Sequence, residues 1–215
     1  MVDKPKRRVQ MKISEQDKER ISQVVKQAES NTSGEIVPLI VHASDAYPHA
    51  DLAGGIIGQA LLLLAGVWLL PDLDLAYLLT TQVVGFIAGF ILTRRVPWIK
   101  RFILGRRTVE TEVYQRAVQA FLEHGLTRTR DRTGILIMTS LLERRVQVLA
   151  DEGINKKVPE GTWDGVVSLV LDGIRSGSLI DGLCAAVLRC GEILSEEFPI
   201  KDDDVDELAD KLIVE

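Results

Sequence analysis

The chain has 215 residues, 46% of them hydrophobic and 27% charged, with a net charge of −5 and two cysteines. That balance excludes a disordered polymer and a disulfide-stapled scaffold, and the length suffices for one domain with a real core rather than two. The net charge conceals sorting: Arg94, Arg95, Lys100, Arg101, Arg106 and Arg107 crowd one region, whereas seven acids lie in 202–215.

Ser14-Glu15-Gln16-Asp17 has the form of a capping box, and Ile21, Val24, Val25 and Ala28 follow at i, i+3, i+4 and i+7, so a helix of about 15 residues is expected there. It stops in Ser30-Asn31-Thr32-Ser33-Gly34. The next seven residues, Glu35 to Val41, read as a strand by β-branched content, and Pro38, which lacks an amide donor, argues for an edge or a bulge. Residues 42–51 read as a loop.

From Leu52 to Thr93 there are 42 residues without a Lys or Arg, and the only acids are Asp72 and Asp74 beside Pro71. Two apolar runs, 52–70 and 75–92, are each just long enough to cross about 30 Å of hydrocarbon at roughly 1.5 Å per residue. A membrane hairpin is therefore expected. The competing reading, a buried hairpin in a soluble core, fits poorly with so long a stretch lacking polar residues. Gly54 with Gly58, and Gly85 with Gly89, are spaced to let helix backbones approach, either within the chain or between copies in a homo-oligomer. No ionisable group lies deep in either run, so anchoring is expected rather than transport.

Beyond the second run, Trp98 stands where an interfacial aromatic is expected. A helix over about 108–123 ends at Gly125, residues 134–140 read as a central strand apolar on both faces, and 142–145 turn into a third strand over 146–150, antiparallel to the second. Two further helices are expected over about 162–175 and 178–197, separated by Gly177, and a short acidic helix near the end on Val205, Leu208, Ala209 and Leu212. This order gives an α/β fold, a small mixed sheet with helices packed on its faces and a two-helix transmembrane hairpin inserted in it. The expected divisions are 1–51 plus 94–198 for the α/β domain, 52–93 for the hairpin and 199–215 for an acidic terminal helix or tail.

Bases precede the hairpin at Lys4, Lys6, Arg7, Arg8 and Lys12, six follow it, and the 71–74 turn has none. Bases are retained on the cytoplasmic side, so a two-span protein of a bacterial inner membrane is expected, with both termini and the domain cytoplasmic. The first run begins some fifty residues along and is followed by a second, which does not read as a cleaved export signal. The basic stretch suits anionic lipid headgroups. A nucleic-acid partner is not expected, because no motif or aromatic interleaving for one occurs. Cys184 and Cys190 are six apart in one expected helix and read as reduced core residues.

Few residues invite chemistry. Asp131 precedes the central strand and Asp151-Glu152 follow its antiparallel neighbour, which brings these acids to one end of the pair. With Asp45 or Glu35 they could hold Ca²⁺ or Mg²⁺, which take oxygen ligands; otherwise they are solvated loop acids, with Asp131 paired to Arg130 or Arg132. His42, Asp45 and His49 match no zinc spacing, and no nucleophile elbow, phosphate loop, dinucleotide fingerprint or Cys-x-x-Cys occurs.

An N-terminal helix leading to Gly34-Glu35-Ile36-Val37, then Asp131-Arg132-Thr133-Gly134-Ile135-Leu136-Ile137, then the run from Arg144-Arg145-Val146 to Asp151-Glu152-Gly153-Ile154, resembles the TPM domain. Residues 162–194, broken at Ser176-Gly177-Ser178, resemble its C-terminal helical pair. The resemblance implies an α/β/α sandwich, a divalent-cation site beside the sheet, and the acid phosphatase activity proposed for a plant member. Here the hairpin interrupts the domain, whereas the commoner bacterial layout has an exported domain followed by a membrane helix. Where family members often show Asp-Asn-Gly, this chain has Asp131-Arg132-Thr133-Gly134. Two functions follow as expectations: a membrane-anchored accessory or binding module, modulated by a divalent cation such as Ca²⁺ or Mg²⁺ and with a membrane or cytoplasmic protein partner, or a metal-dependent phosphoester hydrolase.

Overall fold

The computed structural model describes residues 13–70, 72, 74–201 and 207–215. Ser14 closes the expected capping box: its Oγ accepts from Asp17 N–H at 3.1 Å and Asp17 Oδ2 accepts from Ser14 N–H at 2.9 Å. Helix α1 (Glu15–Glu29) follows, burying Ile21, Val25 and Ala28. Strand β1 is Glu35–Val41, and a long crossover leads to β2 (Gly134–Ser140), which turns directly into β3 (Arg145–Ala150). Every residue of β2 is buried, and so are six of the seven in β1. Both faces of the sheet are therefore covered.

Among the described residues the crossover holds four α-helices: α2 (Pro48–Leu69), α3 (Leu75–Arg95), α4 (Pro97–Ile103) and α5 (Arg106–Glu123). After β3 come a single turn, α6 (Glu152–Asn155), and two longer helices, α7 (Asp164–Ser176) and α8 (Leu179–Glu197). Gly177 at φ 80° and Gly125 at φ 75° occupy the left-handed conformation that ends a helix, as their positions in the sequence suggest. Helices α7 and α8 meet where Gly173 and Gly182 face each other, a Cβ on either lying 2.9 Å from the other's Cα.

The last element is a correction. The described residues 207–215 contain no helix; Ile213–Val214 form strand β4, parallel to β1 with Leu39 opposite Ile213 and Ile40 opposite Val214. The remainder of the segment, 202–206, lies outside the described residues. Two β-branched residues beside an open strand pair with it more readily than they continue a helix. The sheet order is β3-β2-β1-β4, which places β1 inside the sheet rather than at its edge. Pro38 nevertheless behaves as an edge residue. Glu35 N–H donates toward β2 at Thr133 O, whereas Ile40 O accepts from Glu215 N–H on the β4 side, so even-numbered residues of β1 face β4. Pro38 faces that side where β4 has not yet begun, and Ile36 N–H, also facing it, donates instead to Glu29 Oε1 at 2.6 Å.

The chain divides into two compact units. Among the described residues, the first gathers 13–41 with Ala117–Thr139, 144–201 and 207–215, and holds the sheet core with α1, α7 and α8. The second comprises His42–Arg116 and Ser140–Glu143 and contains the two long apolar helices. Both are long and apolar enough to cross a membrane, and only 11% of the apolar window of α2 and 6% of that of α3 is buried. A soluble core hairpin would show the reverse. Helix α2 starts earlier than expected because Pro48 sits at its first position after Tyr47, which takes a left-handed conformation at φ 51°.

Candidate functional site

The acids singled out by sequence are each engaged. Asp131 Oδ2 lies 2.6 Å from Lys201 Nζ, and this contact holds the Asp131 carboxyl below the usual range. Asp151, 5% exposed at its side chain, pairs through Oδ2 with Arg132 Nε at 2.9 Å, and its Oδ1 caps α6 by accepting from Glu152 N–H. Lys156 takes Glu152 at 2.7 Å. The two loops do adjoin: Asp151 N–H donates to Gly134 O, and Gly153 N–H to Arg132 O at 3.1 Å. That packing needs glycine at 153, where a Cβ would stand 2.5 Å from Asp131 O. In the other unit Asp45 Oδ2 accepts from Tyr47 N–H at 2.6 Å. Asp131, Asp151 and Glu152, each matched by a Lys or Arg, are poor ligands for Ca²⁺ or Mg²⁺, because the cation would have to displace a base at each.

A different trio has a donor set suited to such an ion. One carboxylate oxygen from each of Glu29, Glu35 and Asp210 lies within 4.8 Å of the others. Glu29 comes from the last turn of α1, Glu35 opens β1, and Asp210 precedes β4. Glu35 Oε1 also accepts from Glu207 N–H, and Asp210 O accepts from Ser22 Oγ. Burial, then the hydrogen bond to Asp210 and the nearby charges of Glu35 and Asp210, push the Glu29 carboxyl up to about 9, against the opposing pull of Ile36 N–H. Sequence inspection offered Glu35 as a ligand but not Glu29 or Asp210, because the trio's members are spread from one end of the chain to the other.

Two chemistries relieve its repulsion: a proton on Glu29 or a bound divalent cation. With the proton alone, the sign of the pH effect is fixed. A carboxyl raised in the folded state favours folding most fully below about 4.5, its ordinary value, and this contribution is lost as pH rises toward about 9. Thermal melts of the full chain without added metal should therefore fall across that window, with a limiting slope of about 1.4 kcal/mol per pH unit for one proton. Glu29→Gln keeps an acceptor for Ile36 and should flatten the profile; an unchanged slope would assign it to other groups.

The second unit holds a buried network around Glu143, which is 8% exposed. Its Oε1 accepts from Tyr47 Oη at 2.8 Å and from Ser44 N–H at 2.9 Å, and Ser140 Oγ donates to Oε2. Burial, then the facing Glu143, push the Tyr47 phenol far above its ordinary range. With its oxygens taken by three internal donors, Glu143 is a structural tie between the 42–47 loop and the 140–143 turn. Nothing in Leu142-Glu143-Arg144 distinguishes it from a solvated turn acid.

Helices α2 and α3 meet along the four glycines. A Cβ at Gly58 would clash with Gly85 O, one at Gly89 with Gly54 O, one at Gly54 with Thr93 Oγ1, and one at Gly85 would stand 2.9 Å from Gly58 O. The backbones are thus in contact within one chain.

Residues 101–193 match the family model of the TPM domain. That stretch is similar to the TPM domain. The match begins after the hairpin and takes in the 131–137 and 144–154 runs and both α7 and most of α8, whereas α1 and β1 lie outside it. The structure is similar to the NMR structure of the BA42 protein from the psychrophilic bacterium Bizionia argentinensis, with a TM-score of 0.61 and 19% identity, covering 96% of this chain and 98% of that one. At that identity the likeness is one of fold. No curated protein matches the sequence. The chain is therefore an α/β fold with a small mixed sheet, continuous in sequence with two long apolar helices.

Proposed function

We propose that this protein is a membrane-anchored TPM domain that works as an accessory binding module rather than as a hydrolase. The observation that carries the reading is the pair α2 and α3, long, apolar, joined backbone to backbone at glycines and almost wholly unburied. Sequence adds the side: bases flank the hairpin and none lies in its turn, which favours cytoplasmic termini and a cytoplasmic domain. The accessory role draws support from the carboxylates. Asp131, Asp151 and Glu152, the acids a metal-dependent phosphoester hydrolase would need free, are neutralised by Lys201, Arg132 and Lys156.

The test is fractionation and labelling. The protein should sediment with membranes and resist extraction without detergent, and a cysteine at Asp72→Cys, in a variant lacking Cys184 and Cys190, should react with an impermeant reagent only from outside the cell. Protein remaining in the supernatant would overturn the anchor, and labelling only after lysis would reverse the orientation.

A further inference from the structure

We propose that the elbow formed by the end of α3, the short helix α4 and the start of α5 is a binding surface for the headgroups of anionic phospholipids. The inference deepens the proposed anchoring and rests on it. Val96, in an extended conformation, breaks the helix between α3 and α4, and no residue of α4 is buried. One side of α4 is fixed to protein: Lys100 Nζ lies 3.0 Å from Asp51 Oδ1 and 2.7 Å from Ala46 O. At about 100° per residue, Trp98 and Phe102 both project on the side away from Lys100. They are 69% and 87% exposed. Two large aromatics one turn apart on a helix that leaves an apolar span have the chemistry of the bilayer interface, where rings sit among headgroups.

The charges agree. No Asp or Glu occurs from Leu75 to Val109, while Arg94 and Arg95 close α3 and Arg106 and Arg107 open α5, all four exposed. Arg106 and Arg107 stand in the first turn of an 18-residue helix that has no acid there, a position where the helix dipole disfavours positive charge. Folding gains nothing from placing them so. An anionic leaflet does, because each base near its surface adds to the attraction. The bases flank the exposed aromatics in sequence on both sides, which matches rings lying at headgroup depth beside a row of phosphates. An acidic protein would match the bases but leave the lipid-level rings unexplained.

The experiment uses the full chain in phosphatidylcholine vesicles containing phosphatidylglycerol, with bromine on the acyl chains of one lipid or the other at equal mole fraction. Trp98 is made the sole indole by Trp68→Phe and Trp163→Phe; a sister variant keeps Trp68, in α2, by Trp98→Phe and Trp163→Phe. Trp98 should be quenched about twofold more by brominated phosphatidylglycerol than by brominated phosphatidylcholine, an excess lost in high salt and on changing Arg94, Arg95, Arg106 and Arg107 together to Gln. Trp68 should be quenched by either lipid in both the native and the glutamine backgrounds, which reports an inserted, folded hairpin. Trp98 quenched equally by the two lipids, or reached by acrylamide from water while Trp68 is quenched by lipid, would overturn the proposal and leave the anchor standing. If neither indole is quenched by lipid, the anchor itself fails and the headgroup surface with it.

Discussion

Glu143→Ala should destabilise the protein by about 3–5 kcal/mol, read as a lowered midpoint in thermal or chemical unfolding of the detergent-solubilised chain. The substitution strands Tyr47 Oη, Ser44 N–H and Ser140 Oγ at once, and Tyr47 is completely buried. A buried donor left without an acceptor costs about 1–3 kcal/mol, so three of them approach the upper range seen for single substitutions. Glu143→Gln keeps one acceptor oxygen and should recover more than half of the loss. Tyr47→Phe, which removes one bond and leaves two, should cost about 1 kcal/mol. Near-native melting of Glu143→Ala would mean that water reaches these donors and that the tie is dispensable.

Gly58→Val should separate α2 from α3, at a cost of about 1–3 kcal/mol. The new Cβ would clash with Gly85 O and stand 2.9 Å from the Gly89 Cα, and both are backbone atoms with nowhere to go. Gly66→Ala is the matched control, because its Cβ would meet only Leu78 Cδ1 at 3.3 Å, the end of a flexible side chain. Disulfide trapping between cysteines placed on facing turns of the two helices should fall sharply for Gly58→Val and stay unchanged for Gly66→Ala. Equal trapping in both would show that the helices tolerate a wider spacing.

What could be read from residue order alone divides by range. The capping box at Ser14 and Asp17, the left-handed glycines 125 and 177 and the doubly apolar run 134–140 express local preferences, and each appears where the sequence places it. The two apolar helices were legible for the same reason. Helix α4 was not, because the seven residues of Pro97–Ile103 make barely two turns, too short a stretch to establish a period. The acidic end was misread: Leu208, Ala209 and Leu212 have helical spacing, but Ile213 and Val214 are claimed by β1, some 170 residues earlier. Glu29, Glu35 and Asp210 converge only because of that same pairing. The acids chosen by adjacency, Asp131 and Asp151, do lie on adjoining loops, yet the bases Lys201 and Arg132 that neutralise them could not be assigned without the fold.

The pairing of β4 with β1 also sets an order of assembly. Val214 leaves the ribosome roughly ten to thirty-five seconds after Ile40, at about 5–20 residues per second, and during that delay one flank of β1 has no neighbour. A bare strand edge of that kind invites nascent chains to stick to one another. Pro38 offers no donor on that flank, and Glu29 already holds the Ile36 amide, so the growing polypeptide shields its own vulnerable border until the final strand arrives.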